Sequence, residues 1–239
     1  MRNPARQQPR GDAVSSTPGR IQEPNSITLF SNVDTKIAVA KALEHLMEGQ
    51  LLDKIPVSAI CKRAGISRAT FYRYFTDKFS IVQWYVSYIH HTGANEIGRT
   101  MSWYEGYYSS ELTVSRHISF FRNAAKSNDY NSLDQYAPRL RIAALERTIT
   151  EFHGVELTEK LRFMVNATVQ SEVLLFPDWH YGNYDCTLEE ACAWMVECVP
   201  AELRELLEKP VDPRKRPKGY VSQIHLSPNA PTIPGAPGY

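Results

Sequence analysis

No stretch of this 239-residue chain approaches the roughly 18 consecutive apolar residues that a membrane-spanning helix needs, and the N-terminus is rich in Arg and Pro. Neither a membrane span nor a signal peptide is predicted. Cysteines are few. Cys61, Cys186, Cys192 and Cys198 offer no C-x2-4-C pair of the kind that holds zinc. The last three are six residues apart, which at roughly 100° per residue puts successive thiols on different helix faces. They read as buried or idle thiols of a reducing cytosol. Also missing are a Gly-rich phosphate loop, a metal triad and any Ser/His/Asp arrangement that sequence alone supports. His90, His91 and His117 lack ligand spacing, so no metal or cofactor is expected. An enzyme is the least supported class.

Charge of one sign is scarce on average, since the formal net charge is only +1. The average conceals a division. Residues 49–80 carry six Lys/Arg against two Asp/Glu, whereas residues 81–209 carry eleven against eighteen. A basic module on an acidic body suits a protein that meets phosphate at one end only.

The pattern predicts an all-α chain with no repeat and no useful strand alternation. Residues 1–32 and 210–239, rich in Pro, Gly, Ser and basic residues, read as disordered tails. Asp34 is the expected cap of a first helix bearing Ile37, Ala40, Leu43 and Met47, which Gly49 ends. A helix over 57–64 ends at Gly65, where a tight turn favours positive φ. Ser67 caps the next helix, and Thr70 stands where a capping box would have Glu, leaving the helix start free of acid. A long helix is expected over 77–99. Helices are also expected over 111–127, 132–153, 157–176 and 187–208, with a looser segment at 177–186.

Val57 to Phe75 is the most informative stretch. Two short helices around a tight turn, the second basic and aromatic, form the layout of a helix-turn-helix reader of duplex DNA. Phe71 and Phe75 point inward, leaving Arg68, Ala69, Tyr72 and Arg73 outward toward a major groove. Arg can bond guanine bidentately, while Ala and the Thr methyl can meet a thymine methyl. Tyr72, Tyr74 and Lys78 suit phosphate contacts, which set register without reading sequence.

Ala-Gly-Ile-Ser-Arg-Ala-Thr-Phe-Tyr-Arg-Tyr-Phe-x-Asp-Lys, ending at Lys78, resembles the DNA-binding head of the TetR family of bacterial transcriptional regulators. The resemblance covers residues 33–93, about a quarter of the chain, with the motif at about 56–75. It implies a three-helix head, a connecting fourth helix, and an α-helical body over 94–209 that dimerises and often binds an effector. By position it assigns DNA contact to Ser67, Arg68, Ala69, Thr70, Tyr72 and Arg73, with Tyr74 and Lys78 on the backbone. Pro56 departs from the family's usual capping Thr, and Ser58 is the candidate substitute hydroxyl. The body, through His117-Ile-Ser-Phe-Phe and Arg162-Phe-Met-Val-Asn-Ala-Thr-Val-Gln, is faintly similar to the dihydroxyacetone-kinase-regulator subgroup, whose partner can be a protein.

The resulting expectation is a cytoplasmic, nucleoid-associated, homodimeric repressor on a palindromic operator, released by a small molecule. Control by a partner protein is the alternative. Trp84, Tyr88, Trp103, Tyr104, Tyr107, His117, Phe120 and Phe121 are the candidate aromatic ligand pocket. Leu161, Val165, Val169 and Val173, with Trp194, Val199, Leu203, Leu206 and Leu207, are candidates for pairing across a two-fold axis or for the subunit core.

Overall fold

The computed structural model describes residues 21–24, 26–127, 133–220 and 222. Among these residues the architecture is all-α, without a strand. A short helix α1 (Ser26–Phe30) precedes the head helices α2 (Val33–Met47), α3 (Val57–Ala64) and α4 (Arg68–Tyr74). The connecting helix α5 (Lys78–His91) follows, then α6 (Trp103–Arg116), α7 (Ile118–Ala124) and α8 (Leu133–Arg147), which a π-helical stretch Thr148–Phe152 continues. The last are α9 (Glu159–His180), α10 (Leu188–Cys198) and α11 (Ala201–Leu207).

Local chemistry explains the head. Gly65 ends α3 at φ +67°, and its N–H closes on the carbonyls of Cys61 and Lys62. The Ser67 hydroxyl then accepts the Thr70 N–H at 3.0 Å and starts α4. Val39, Leu43, Ile60, Phe71 and Phe75 bury together, and this core continues without a break into Ile81, Tyr85 and Tyr88 of α5 and Phe120 and Phe121 of α7. A second core joins Trp103 and Tyr107 to Leu145, Val165, Val169, Leu203 and Leu207. Head and upper body therefore share apolar packing, while the lower body has its own.

Several boundaries differ from expectation. Asp34 lies in the first turn of α2 and does not cap it; Asn32 occupies the cap in a left-handed conformation, φ 51°, which Asn tolerates. The helix expected over 77–99 stops at His91 because Gly93 crosses α6 at backbone contact: a Cβ there would sit 2.3 Å from Ser110 Oγ. Small residues of α6 take over the freed backbone, Ser110 Oγ accepting the Ala94 N–H at 2.8 Å and Ser109 donating to the Thr92 carbonyl at 2.8 Å. The segment expected as 111–127 is two helices that part at His117, and 187–208 divides at Pro200. The looser segment starts later than expected, since α9 runs through Pro177 to His180.

The inner ends of the expected disordered tails are ordered, which corrects that expectation there. The Glu23 carboxylate accepts from Arg99 Nη1 and Nη2 at 2.9 Å each, from Asn95 Nδ2 at 3.1 Å and from Arg147 Nη1 at 3.3 Å. Leu29 is buried, and its carbonyl accepts the Trp84 indole N–H at 3.0 Å. At the other end Val211 is buried, the Tyr220 hydroxyl donates to the Glu96 carboxylate, and the Tyr220 ring meets Phe152 edge-on at 4.8 Å. Average composition hid these few anchoring residues. The rest of both tails, residues 1–20 and 223–239, lies outside the described residues.

Candidate nucleic-acid interface and body cavity

Helix α4, the second helix of the expected helix-turn-helix, is seven residues long and has no acid in its first turn. Phe71 and Phe75 hold it from behind, and Ser67, Arg68, Ala69, Tyr72 and Arg73 are exposed on the outer side. The Arg68 guanidinium lies over the Tyr72 ring at 5.9 Å, which pre-orders two long side chains on one face. Thr70 is half-buried, its hydroxyl 2.9 Å from Ser67 Oγ. Ser58 is exposed in the first turn of α3, where Pro56 supplies no side-chain cap.

Two other candidates are more committed to the head itself. Tyr74 is half-buried against the core. The Lys78 ammonium donates to the carbonyls of Asp53 at 2.6 Å and Ile55 at 3.2 Å, so it ties α5 to the loop before α3 and keeps one N–H for another partner.

The body contains a cavity of about 570 Å³ between α5, α6, α7, α8 and α9. Of the expected pocket residues, Tyr107 and Phe121 line it. The others fill core instead. Trp84 and Tyr88 stack at 5.5 Å, and Phe120 meets Tyr85 edge-on at 5.5 Å. His117 Nδ1 pairs with Glu44 at 2.8 Å. Trp103 is fully buried, with its indole N–H on the Arg204 carbonyl at 3.1 Å, and Tyr104 stacks on Tyr108 at 5.9 Å. Large rings were a guide to the core because they fill space, and the cavity lies where they leave off.

Tyr107 apart, the cavity's polar wall comes from residues not among those expected to line a pocket. The Glu172 carboxylate accepts from Arg141 Nε at 3.0 Å, Arg141 Nη2 at 3.2 Å and the Tyr107 hydroxyl at 2.8 Å. Burial and the neighbouring carboxylate push the Tyr107 hydroxyl well above its usual pKa. Glu111 pairs with His180 Nε2 at 2.8 Å; burial raises the Glu111 carboxyl's pKa, and the pairing only partly reverses this. Burial, with the Arg141 charge, drives His90 down to about 3, so its ring is neutral. Arg122 donates to the His180 carbonyl and lies over the Tyr181 ring at 4.9 Å. Among the described residues, Arg122 Nε and His90 Nδ1 are buried with no hydrogen-bond partner.

A family model described as the helix-turn-helix domain of resolvase matches residues 50–78, spanning α3, α4 and their flanking turns. The solved structure of the dihydroxyacetone kinase operon activator DhaS aligns with a TM-score of 0.53 and 16% identity, over 74% of this chain and 99% of that one. The chain shares the all-α fold of that structure. The TetR family repressor AlkX from Dietzia sp. strain DQ12-45-1b, implicated in n-alkane biodegradation, aligns at 16% identity over 71% of this chain and 98% of its own, with a TM-score of 0.46. No curated protein matches the sequence.

Within this fold, α7 touches both the head and the cavity. Asn123 Nδ2 donates to the carbonyls of Met47 and Gln50 at 2.9 Å each, and its Oδ1 accepts the Leu52 N–H at 3.0 Å. Arg122, one residue before Asn123, and Lys126, three residues after it, line the cavity with Ile118 and Phe121. A sequence signal existed for the Arg141–Glu172 pair: Glu172 interrupts the apolar stripe of Val165, Val169 and Phe176, and Arg141 sits between Leu140 and Ala144. Arg122, His90 and His180 carried no such mark.

Proposed function

We propose that this chain is a sequence-specific, DNA-binding transcriptional regulator, a homodimeric repressor released from a palindromic operator by a small molecule held in the body cavity. One observation carries the reading: α4 presents Arg68, Ala69, Tyr72 and Arg73 outward from an acid-free helix start, on a turn fixed by Gly65 and Ser67. Two such heads read two half-sites about 34–36 Å apart or at a related spacing, which requires a dimer.

Support for self-association comes from α9. Phe163 is 76% exposed and Leu174 63% exposed, and with Ala167 they lie on one helical stripe; Trp194 of α10 is 50% exposed. The stripe first considered for pairing, Leu161, Val165 and Val169, is subunit core, as are Val199, Leu203 and Leu207. Control from the cavity has two short routes to the head, along α5 through Val86, Ile89 and His90, and through α7 to Asn123. A ligand acts only by binding the two head postures unequally.

The test is binding of the purified chain to the DNA flanking its own gene against a scrambled duplex, across a salt series. Selective binding that Arg68→Ala and Tyr72→Ala abolish is the expected result. Equal, weak binding to both duplexes, unchanged in those variants, would overturn it. The DhaS structure that shares the fold is described as an operon activator. Activation is therefore the second reading of the sign, and a promoter-reporter assay in a strain lacking the chain separates the two.

A further inference from the structure

We infer that the body cavity takes an amphipathic organic anion, an apolar body with a single carboxylate-type head that seats against Arg122. This rests on reading the cavity as a ligand site and names the chemical class it accepts.

The argument is one of charge and hydrogen-bond satisfaction. Two carboxylates face the interior, and both have partners: Glu172 holds Arg141 and Tyr107, and Glu111 holds His180. Among the described residues, Arg122 is the interior cation with no carboxylate beside it; its contacts there are a backbone carbonyl and the face of Tyr181. Its Nε is buried without a partner, and so is Nδ1 of the neutral His90 on the same lining. A buried guanidinium N–H left empty is costly, and a carboxylate is the group whose geometry fits its fork. Lys126 and Asp134, both exposed on the lining, are opposite in sign and cancel. An amine-headed ligand would find both acids occupied and would face Arg122 directly. The remaining wall is apolar, with Val86, Ile89, Val114, Ile118, Phe121 and Val173. That lining sets the body of the ligand as hydrocarbon or aromatic.

The test is calorimetric titration of the full chain, without DNA, with decanoate, decanol and decylamine, three probes that differ only in the head. Decanoate is expected to bind at least about ten times more tightly than either of the others. Arg122→Gln should remove that preference, and Arg122→Lys should keep part of it, since charge remains without the fork. Thermal melts of both variants confirm that they are folded; if Arg122→Gln is not, the Arg122→Lys preference decides. Preference for the amine, equal binding of all three, no binding by any, or a preference that survives in Arg122→Gln would each overturn the inference. Because no DNA is present, loss of operator recognition leaves this measurement intact. Decanoate that binds as expected but leaves DNA affinity unchanged would count against release by ligand while supporting the anion site.

Discussion

Replacing Glu23 by Gln is the most demanding test of how this chain is held together. The side chains of Glu23 and Arg99 are each only 1% exposed, so their two 2.9 Å hydrogen bonds are not screened by solvent. Gln can accept only one of these two bonds and carries no charge, so Arg99 is left with that bond, Thr148 Oγ1 at 2.8 Å and the Ala144 carbonyl at 2.9 Å. Breaking one partner of a buried ion pair costs about 3–5 kcal/mol, because the other charge stays in a low-dielectric site. Burial alone would raise the Glu23 pKa, but Arg99, His91 and Arg147 together hold it below the ordinary 4.5. A folded value below the unfolded one means that the carboxylate's contribution is complete above the unfolded pKa and is lost as pH falls through the folded one. Urea unfolding followed by circular dichroism should therefore show Glu23→Gln less stable by about 3–5 kcal/mol at pH 7, with the gap closing below about pH 4.5. A gap under about 0.5 kcal/mol at pH 7 would refute the claim that this segment is part of the folded body.

Asn123→Ala removes three hydrogen bonds between α7 and the head and should cost about 1–3 kcal/mol, with faster amide exchange at Leu52 than elsewhere; unchanged exchange there would contradict the coupling route. Phe163→Glu combined with Leu174→Glu should shift the chain from dimer to monomer by light scattering while its helical circular-dichroism spectrum is unchanged, since both side chains are exposed on the subunit. Gly106→Ala would place a Cβ 2.3 Å from Ile97 Cγ1 and should destabilise by about 1–3 kcal/mol, less so in an Ile97→Ala background, which removes that atom. If Arg73 contacts a phosphate, Arg73→Ala should flatten the log–log salt dependence of DNA binding by about 0.9; an unchanged slope rules that contact out.

What could be read from sequence was what short-range chemistry decides. Gly65 needs a left-handed turn, Ser67 needs an N–H to accept, and Phe71 with Phe75 makes a one-sided helix; all three act within a few residues. The capping pairs Ser102–Glu105 and Thr187–Glu190 were equally local and would have set the starts of α6 and α10. Apart from local boundaries such as the Asn32 cap and the break at Pro200, the misreadings were non-local. Nothing near residue 92 announces that Gly93 will cross α6, and nothing near Glu23 announces three bases 68 to 124 residues further on. The cavity is the extreme case, a space bounded by five helices whose polar lining depends on which partners have already met.

The placement of α7 limits how such a protein can change its chemical taste. Ile118, Phe121 and Arg122 touch the cavity, while Asn123 in the same seven-residue helix grips the end of α2 and the loop after it. On the proposed reading, a substitution on α7 made to admit a new compound also perturbs the hydrogen bonds that fix the head, so selectivity and output vary together. Val173 of α9 lines the same space and packs against the second core, so on the proposed reading it is the position from which ligand preference could be retuned with the head contacts left intact.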